Sequence, residues 1–180
     1  MNTSASRVDR AWQVLHGVPD PEVPAVSVID LGIVRDVQVD AADEGRSESV
    51  LDVVLTPTYS GCPATEVIEA SVREALDQAG LGPVRTSLRR DPAWTTDWIS
   101  AEGRDKLRAY GIAPPGPAEP GALEPGTAVL RFVPRAPQAL ACPRCGSRDT
   151  ERLSAFGSTA CKALWRCRAC REPFEHFKPI

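Results

Sequence analysis

Apolar positions recur along the first half of the chain with two different periods. Val8, Ala11, Trp12 and Leu15 fall three and four residues apart, which predicts a short helix with Ser6 as its cap and Gly17 as its stop. The segments IVRDVQVD and SVLDVVLT alternate, and the polar, glycine-containing AADEGRSE between them predicts a hairpin. A second helical period runs through Ala64, Val67, Ile68, Ser71, Val72, Ala75 and Ala79, with Gly80 as the expected stop. The stretch GPVRTSLR then predicts a third strand with Val84, Thr86 and Leu88 on one face. The order α-β-β-α-β describes an α+β domain, a small sheet covered by helices on one face. Between the first helix and the hairpin, Pro19, Pro21 and Pro24 exclude a regular helix from Val18 to Pro24.

After the third strand, DPAWTTDWISAEGRDKLRAYGI predicts a helix capped by Thr96 or Asp97 and running to Tyr110, with Gly111 as its stop. Trp94 and Trp98 flank that cap, and aromatics so placed are expected to anchor the helix rather than to cage a ligand. Residues 113–126 hold five prolines and read as a stiff, extended linker. TAVLRFVP is one more strand, of undecided ownership, and beyond it the composition shifts to cysteine. The expected organisation is an α/β domain at 1–112, a linker at 113–126 and a cysteine-rich module at 127–180.

Composition narrows the function classes. A formal net charge of −3 over 180 residues gives no reason to expect nucleic-acid binding. No apolar run approaches the roughly 18–20 residues that span a bilayer, and MNTSASRVDRAWQVL lacks the apolar core of a secretory signal. The expected compartment is the cytoplasm, where cysteines more often serve as ligands or redox groups than as disulfides.

Five of the six cysteines lie between Cys142 and Cys170. CPRC (142–145) and CRAC (167–170) are two knuckles with 21 residues between them. Each lets two thiolates converge from one turn. Together they make a four-cysteine site of the closed, structural type through Cys142, Cys145, Cys167 and Cys170. The spacing leaves room for a hairpin, as in a zinc ribbon, and Gly146 follows the first knuckle where such a turn needs a positive φ. Zinc is the expected ion, although iron takes the same four ligands. Cys161 is left over: small buried filler, a fifth thiol exchanging with the site, or a cluster ligand. With four thiolates available, His176 is expected to be a packing or surface residue, and His16 to meet the end of the first helix.

The sixth cysteine stands apart in TPTYSGCPATEVIEA. Pro63 suits a first helical turn, which makes Cys62 the expected N-cap and lowers its thiol pKa through the free N–H groups and the dipole. An inert, packed thiol is the competing reading. Asp20 and Glu22 are close-set carboxylates on the proline-stiffened loop, able to pair with bases, cap an element or position something near Cys62. No glycine-rich phosphate loop, H-E-x-x-H or G-x-S-x-G elbow is present, so the sequence does not describe an enzyme in its own right.

Taken together, DPEVPAVSVIDLGIVRDV, LTPTYSGCPA, DPAWTTDWIS and the tail from CPRCGS to FEHFK resemble the PaaD (PaaJ) family, subunits encoded with the bacterial phenylacetyl-CoA ring-epoxidising oxygenase. Residues 10–110 are similar to the wider family of SufT-like iron–sulfur assembly factors, and residues 139–180 to the tail that marks the PaaD branch. The resemblance implies an iron–sulfur assembly-type domain that matures metal- or cluster-containing partners: oxygenase subunits or the associated iron–sulfur reductase. It places the family's D-P-E motif on Asp20, Pro21 and Glu22, its cysteine on Cys62 and a polar position on Thr58. These residues, with Cys161, are the candidates for cluster transfer, and a transient iron–sulfur cluster would be cargo beside the structural zinc. The rival expectation is a docking component of the oxygenase complex in which Cys62 is only packed. Self-association into a homo-oligomer stays open.

Overall fold

A computed structural model describes residues 3–40, 49–59, 61–116 and 140–179. The chain divides after Tyr110 into two compact units.

In the first unit, α1 (Thr3–Leu15) precedes a hairpin of β1 (Val34–Asp40) and β2 (Val50–Leu55). Helix α2 (Thr65–Gln78) then crosses over to β3 (Val84–Leu88), and α3 (Ala101–Tyr110) closes the unit. The sheet order is β1-β2-β3, antiparallel in the first pair and parallel in the second, as a strand–helix–strand crossover requires. The expected α-β-β-α-β order is present. Helix α1 packs against α2 and β1 and buries Ala11 and Leu15. It begins at Thr3, so Ser6 lies inside it rather than at its cap. The buried stripe of α2 is Ile68, Val72 and Leu76, spaced by four; Val67, placed on that face by the sequence pattern, is exposed. In β3, Leu88 is exposed as well.

The irregular stretch between α1 and β1 contributes heavily to the core. Val18, Val23, Val26, Val28, Leu31 and Ile33 are all buried there. Buried irregular backbone must find partners for its polar groups, and here it finds them locally. Asp20 N–H donates to Val26 O at 2.9 Å, and Val28 N–H to Val18 O at 3.0 Å. Ser27 and Asp30 cap each other: the Ser27 N–H donates to Asp30 Oδ2 at 2.8 Å and the Asp30 N–H to Ser27 Oγ at 3.0 Å.

The same stretch holds the chain that follows β3. Trp94 Nε1 donates to Leu31 O at 2.8 Å, and Ser100 N–H to Asp30 O at 2.9 Å. Gly103 of α3 lies so close to Asp30 that a Cβ would stand 2.8 Å from its carbonyl oxygen. The cap expected at Thr96 or Asp97 falls elsewhere. Thr95 caps a 3-10 turn (Thr96–Trp98), and Ser100 Oγ accepts from Gly103 N–H in the first turn of α3. Two short helical pieces thus replace one long helix.

The second unit is a four-stranded sheet ordered β4-β7-β6-β5, from β4 (Ile112–Ala113), β5 (Thr150–Ser154), β6 (Lys162–Cys167) and β7 (Pro173–Phe177). Ile112, assigned to the first domain by sequence, and Ala113, assigned to the linker, instead pair in parallel with Glu175 and His176. The rest of the linker from 117 and the strand TAVLRFVP lie outside the described residues. No helix among the described residues is long and apolar enough to cross a membrane.

Asp30 offers a stability test. Its buried carboxylate also accepts from Lys106 Nζ at 2.9 Å. Burial opposes the charge, but the Ser27 N–H, Lys106 and the Ser27 hydroxyl together hold its pKa below the ordinary value. A depressed folded pKa means stability present above the unfolded value of about 3.9 and lost as pH falls through the folded one. Asp30→Ala should cost about 1–3 kcal/mol in urea unfolding at pH 7, by orphaning the buried N–H of Ser27 and leaving Lys106 with Glu102 as its carboxylate partner. It should also flatten the acid limb of the stability curve below about pH 4.

Candidate functional site

The four knuckle cysteines converge. Cys167 ends β6 and Pro173 begins β7, so the second knuckle is the turn of that hairpin. The first is closed by Gly146 N–H donating to Cys142 O and Cys142 N–H to Ser147 O, both at 2.9 Å. Gly146 takes φ +74° there, and Arg171, one residue past the second knuckle, takes φ +66° at the equivalent place. The turn geometry is therefore the same in both, and only the first is given the residue that adopts it without strain.

The Sγ atoms of Cys142, Cys145, Cys167 and Cys170 all lie within 4.8 Å of one another. Cys142 to Cys170 is 3.8 Å, and Cys145 to Cys167 is 3.5 Å. A tetrahedral ion with sulfur bonds of about 2.3 Å separates its ligands by about 3.8 Å, so the donor set fits zinc. Without an ion the thiols compete for protons. The Cys170 N–H, against burial and with the neighbouring thiols, holds Cys167 down to about 7. The Glu172 N–H favours the Cys170 thiolate, yet burial and the thiols of Cys167, Cys145 and Cys142 push it up to about 12. A dication removes that conflict. Four protein ligands would leave it no open position, the donor set of a structural rather than a catalytic centre.

Cys161 is not in the four-thiol group. It is buried just before β6, with Thr159 Oγ1 3.0 Å from its sulfur. His176 is buried in β7, edge-on to Trp165, and burial pushes its pKa down to about 4. Beside them Lys162 and Glu175 form an ion pair at 2.9 Å in which the lysine is almost wholly buried.

In the first unit, the loop from Thr56 to Ala64 presents Cys62 differently from the sequence expectation. Helix α2 starts at Thr65 and its N-cap is Ala64, in αR conformation with no side-chain cap. Cys62 lies two residues outside the cap, in a turn where its N–H donates to Tyr59 O at 3.2 Å. Thr65 Oγ1 in turn donates to Cys62 O at 2.9 Å. The half-buried thiol has its pKa raised, not lowered. Burial is the main cause; the Ala64 N–H and Thr65 act the other way, and the charges of Glu22 and Asp20 add to the rise. The fold thus brings the two loop carboxylates into the field of Cys62. Asp20 is buried and accepts from the N–H groups of Glu22 at 3.0 Å and Val23 at 2.8 Å. Thr58 is buried in the same loop, as is Thr56, whose Oγ1 has no hydrogen-bond partner among the described residues. Nothing in the alternation of β2 singled out Thr56; only its place one residue past the strand distinguishes it.

Comparison with known proteins agrees with this two-part layout. Residues 9–87 match the model of an iron–sulfur cluster assembly protein, and residues 127–178 match the PaaD zinc beta ribbon domain. A protein of Escherichia coli (strain K12), named provisionally as a subunit of 1,2-phenylacetyl-CoA epoxidase, is 45% identical over 97% of this chain and 94% of its own. The chain belongs to the PaaD family. In this PaaD protein the assembly-type match spans Asp20, Glu22, Thr58 and Cys62, and the ribbon match spans the four knuckle cysteines with Cys161.

Among solved structures, a domain of unknown function from Bacillus anthracis is 25% identical, with TM-score 0.49, over 58% of this chain and 94% of its own. A conserved hypothetical protein of Thermotoga maritima is 30% identical, with TM-score 0.43, over 55% and 91%. A Mycobacterium tuberculosis protein described as associated with Fe-S complex assembly and repair is 36% identical, with TM-score 0.33, over 59% and 84%.

Two outcomes are expected at these sites. Cys142→Ser or Cys170→Ser in the full chain should lower bound zinc from one equivalent to a small fraction. It should also disperse the indole resonance of Trp165, which packs in one cluster with Cys142 and Cys167. A metal-free protein that keeps that resonance in place would contradict the structural role. At Cys62, alkylation by iodoacetamide at pH 7.5 should be slower than for free cysteine but faster than at buried Cys161. Glu22→Gln should speed it, because one source of the raised pKa is gone; an unchanged rate would mean that the carboxylate does not act on the thiol.

Proposed function

We propose that this protein is an accessory subunit of phenylacetate degradation that helps to insert or repair iron–sulfur or di-iron centres of a phenylacetyl-CoA epoxidase, and that it catalyses no step of the pathway itself. The observation that carries the reading is the half-buried thiol of Cys62 in the combined field of Glu22 and Asp20. The relative named as an epoxidase subunit and the match to an assembly-type domain support the process. A protonated thiol beside two carboxylates is poised for a cation. As iron arrives as cargo, the iron–sulfur bond replaces the S–H bond, the proton leaves to water, and no electron moves. The carboxylates that disfavour the bare thiolate then stabilise the metal. Thr58 lines the loop, and Cys161 is a second thiol whose part would be secondary because it is buried. The recipients are the oxygenase subunits or the iron–sulfur reductase, in the cytoplasm.

A second reading is favoured by the same burial: Cys62 is packing, and the protein is a docking component of the oxygenase complex. Complementation separates the two. Cys62→Ser should leave the circular dichroism spectrum native while lowering epoxidase activity in cells at least tenfold, with iron-deficient oxygenase recovered. A fully active strain carrying Cys62→Ser would give first place to the docking reading.

A further inference from the structure

Apart from these sites, the first unit contains an arginine arrangement that the proposed function does not use. Arg35 is the extra residue of a bulge in β1, between Val34, which faces Leu55, and Asp36, which faces Val54. A bulge re-aims the side chain it carries. The guanidinium of Arg35 lies over the ring of Trp98, 3.5 Å from its centroid. The backbone that carries that ring is itself fixed. Gly32, at φ +66°, sits so near Trp98 that a Cβ would stand 2.6 Å from its carbonyl oxygen, and the following Ser100 N–H is tied to Asp30 O.

Arg89 extends β3 past Leu88, its N–H donating to Leu55 O at 2.8 Å, so Arg35 and Arg89 flank Leu55 from either side at one end of the sheet. Neither guanidinium pairs with a carboxylate among the described residues. Burial, and then the charge of Arg89, lower the pKa of Arg35 from its ordinary value. The fold has partly buried one arginine, set it over an aromatic and placed a second cation near it, with no carboxylate paired to either among the described residues. Such an arrangement is unfavourable alone and favourable around an oxyanion.

We propose that Arg35, stacked on Trp98, and Arg89 form a receptor for a carboxylate presented by an acidic segment of a protein partner. Charge complementarity selects the acid, and the exposed Leu88 beside Arg89, on the strand that ends the sheet among the described residues, supplies the apolar contact that a polypeptide can use and an inorganic anion cannot. The receptor is separate in chemistry from Cys62, so it stands or falls independently of metal transfer.

The test uses the full chain with a capped tetraglutamate peptide and with inorganic phosphate, each titrated by NMR at matched ionic strength. The peptide should shift the Trp98 indole resonance, with affinity falling as salt rises. Arg35→Gln and Arg89→Gln should each weaken it at least about fivefold, and Cys62→Ser should leave it unchanged. Arg89→Glu should abolish peptide binding and yet raise the thermal midpoint by about 1–3 °C, because Arg35 gains an internal partner. The proposal is overturned by binding of phosphate without peptide, by binding of neither, by peptide binding that survives both glutamine variants, or by an unchanged or lower midpoint for Arg89→Glu.

Discussion

Burying a stretch of chain that is neither helix nor strand demands that its own side chains satisfy its backbone, and the first unit is organised around that demand. From Val18 to Ile33 six apolar residues go into the core, and the polar groups between them are consumed by Asp20, Ser27 and Asp30. The consequences spread outward. Asp20, held in place by two backbone N–H groups, adds its charge to the field at Cys62. Asp30 and Leu31 fix Ser100 and Trp94, and through them the 3-10 turn on whose Trp98 ring Arg35 rests. An unsatisfied group anywhere in this stretch would cost about 1–3 kcal/mol, a large share of the roughly 5–15 kcal/mol that holds a domain.

This explains which parts of the fold were legible in the sequence. The strands and α2 follow from periodicity, because repeated burial on one face leaves a repeated pattern. The 18–33 stretch has no period, since each of its residues is placed by a local turn, and its prolines announced only that it is not a helix. The hydrogen-bonding residues were visible as types but not as a network. The interruption between Trp98 and Ala101 was hidden for a related reason: both Thr95 and Ser100 can cap, and only the close approach of Gly103 to Asp30 decides that α3 starts late.

The two cysteine sites differed in legibility because their chemistry differs. Paired knuckles need only local spacing, so the four-thiol group could be read directly from the chain and is met in the structure. The ionisation of Cys62 depends on distant groups. A proline after it suggested a cap, but Pro63 precedes the helix instead of opening it, since Ala64 fills the cap position. The dipole argument weakens once the thiol is two residues further out, because the effect is confined to the first turn. Burial and the charges of Glu22 and Asp20 then prevail. The sign of the shift therefore turns first on burial, and then on one helical register and on a loop about forty residues away in the chain.

That reversal changes what the site is suited to. A lowered pKa would leave a standing thiolate, which is open to oxidation and to capture by any soft metal. A raised pKa favours the protonated sulfur, which is less open to both. In the second unit the opposite logic holds. There the four sulfurs sit too close for all of them to ionise without an ion, and Arg171 bears a left-handed conformation at the second knuckle. One site offers four thiols to a single ion; the other offers one half-buried thiol in the field of two carboxylates, so only the first has the donor set of a closed metal centre.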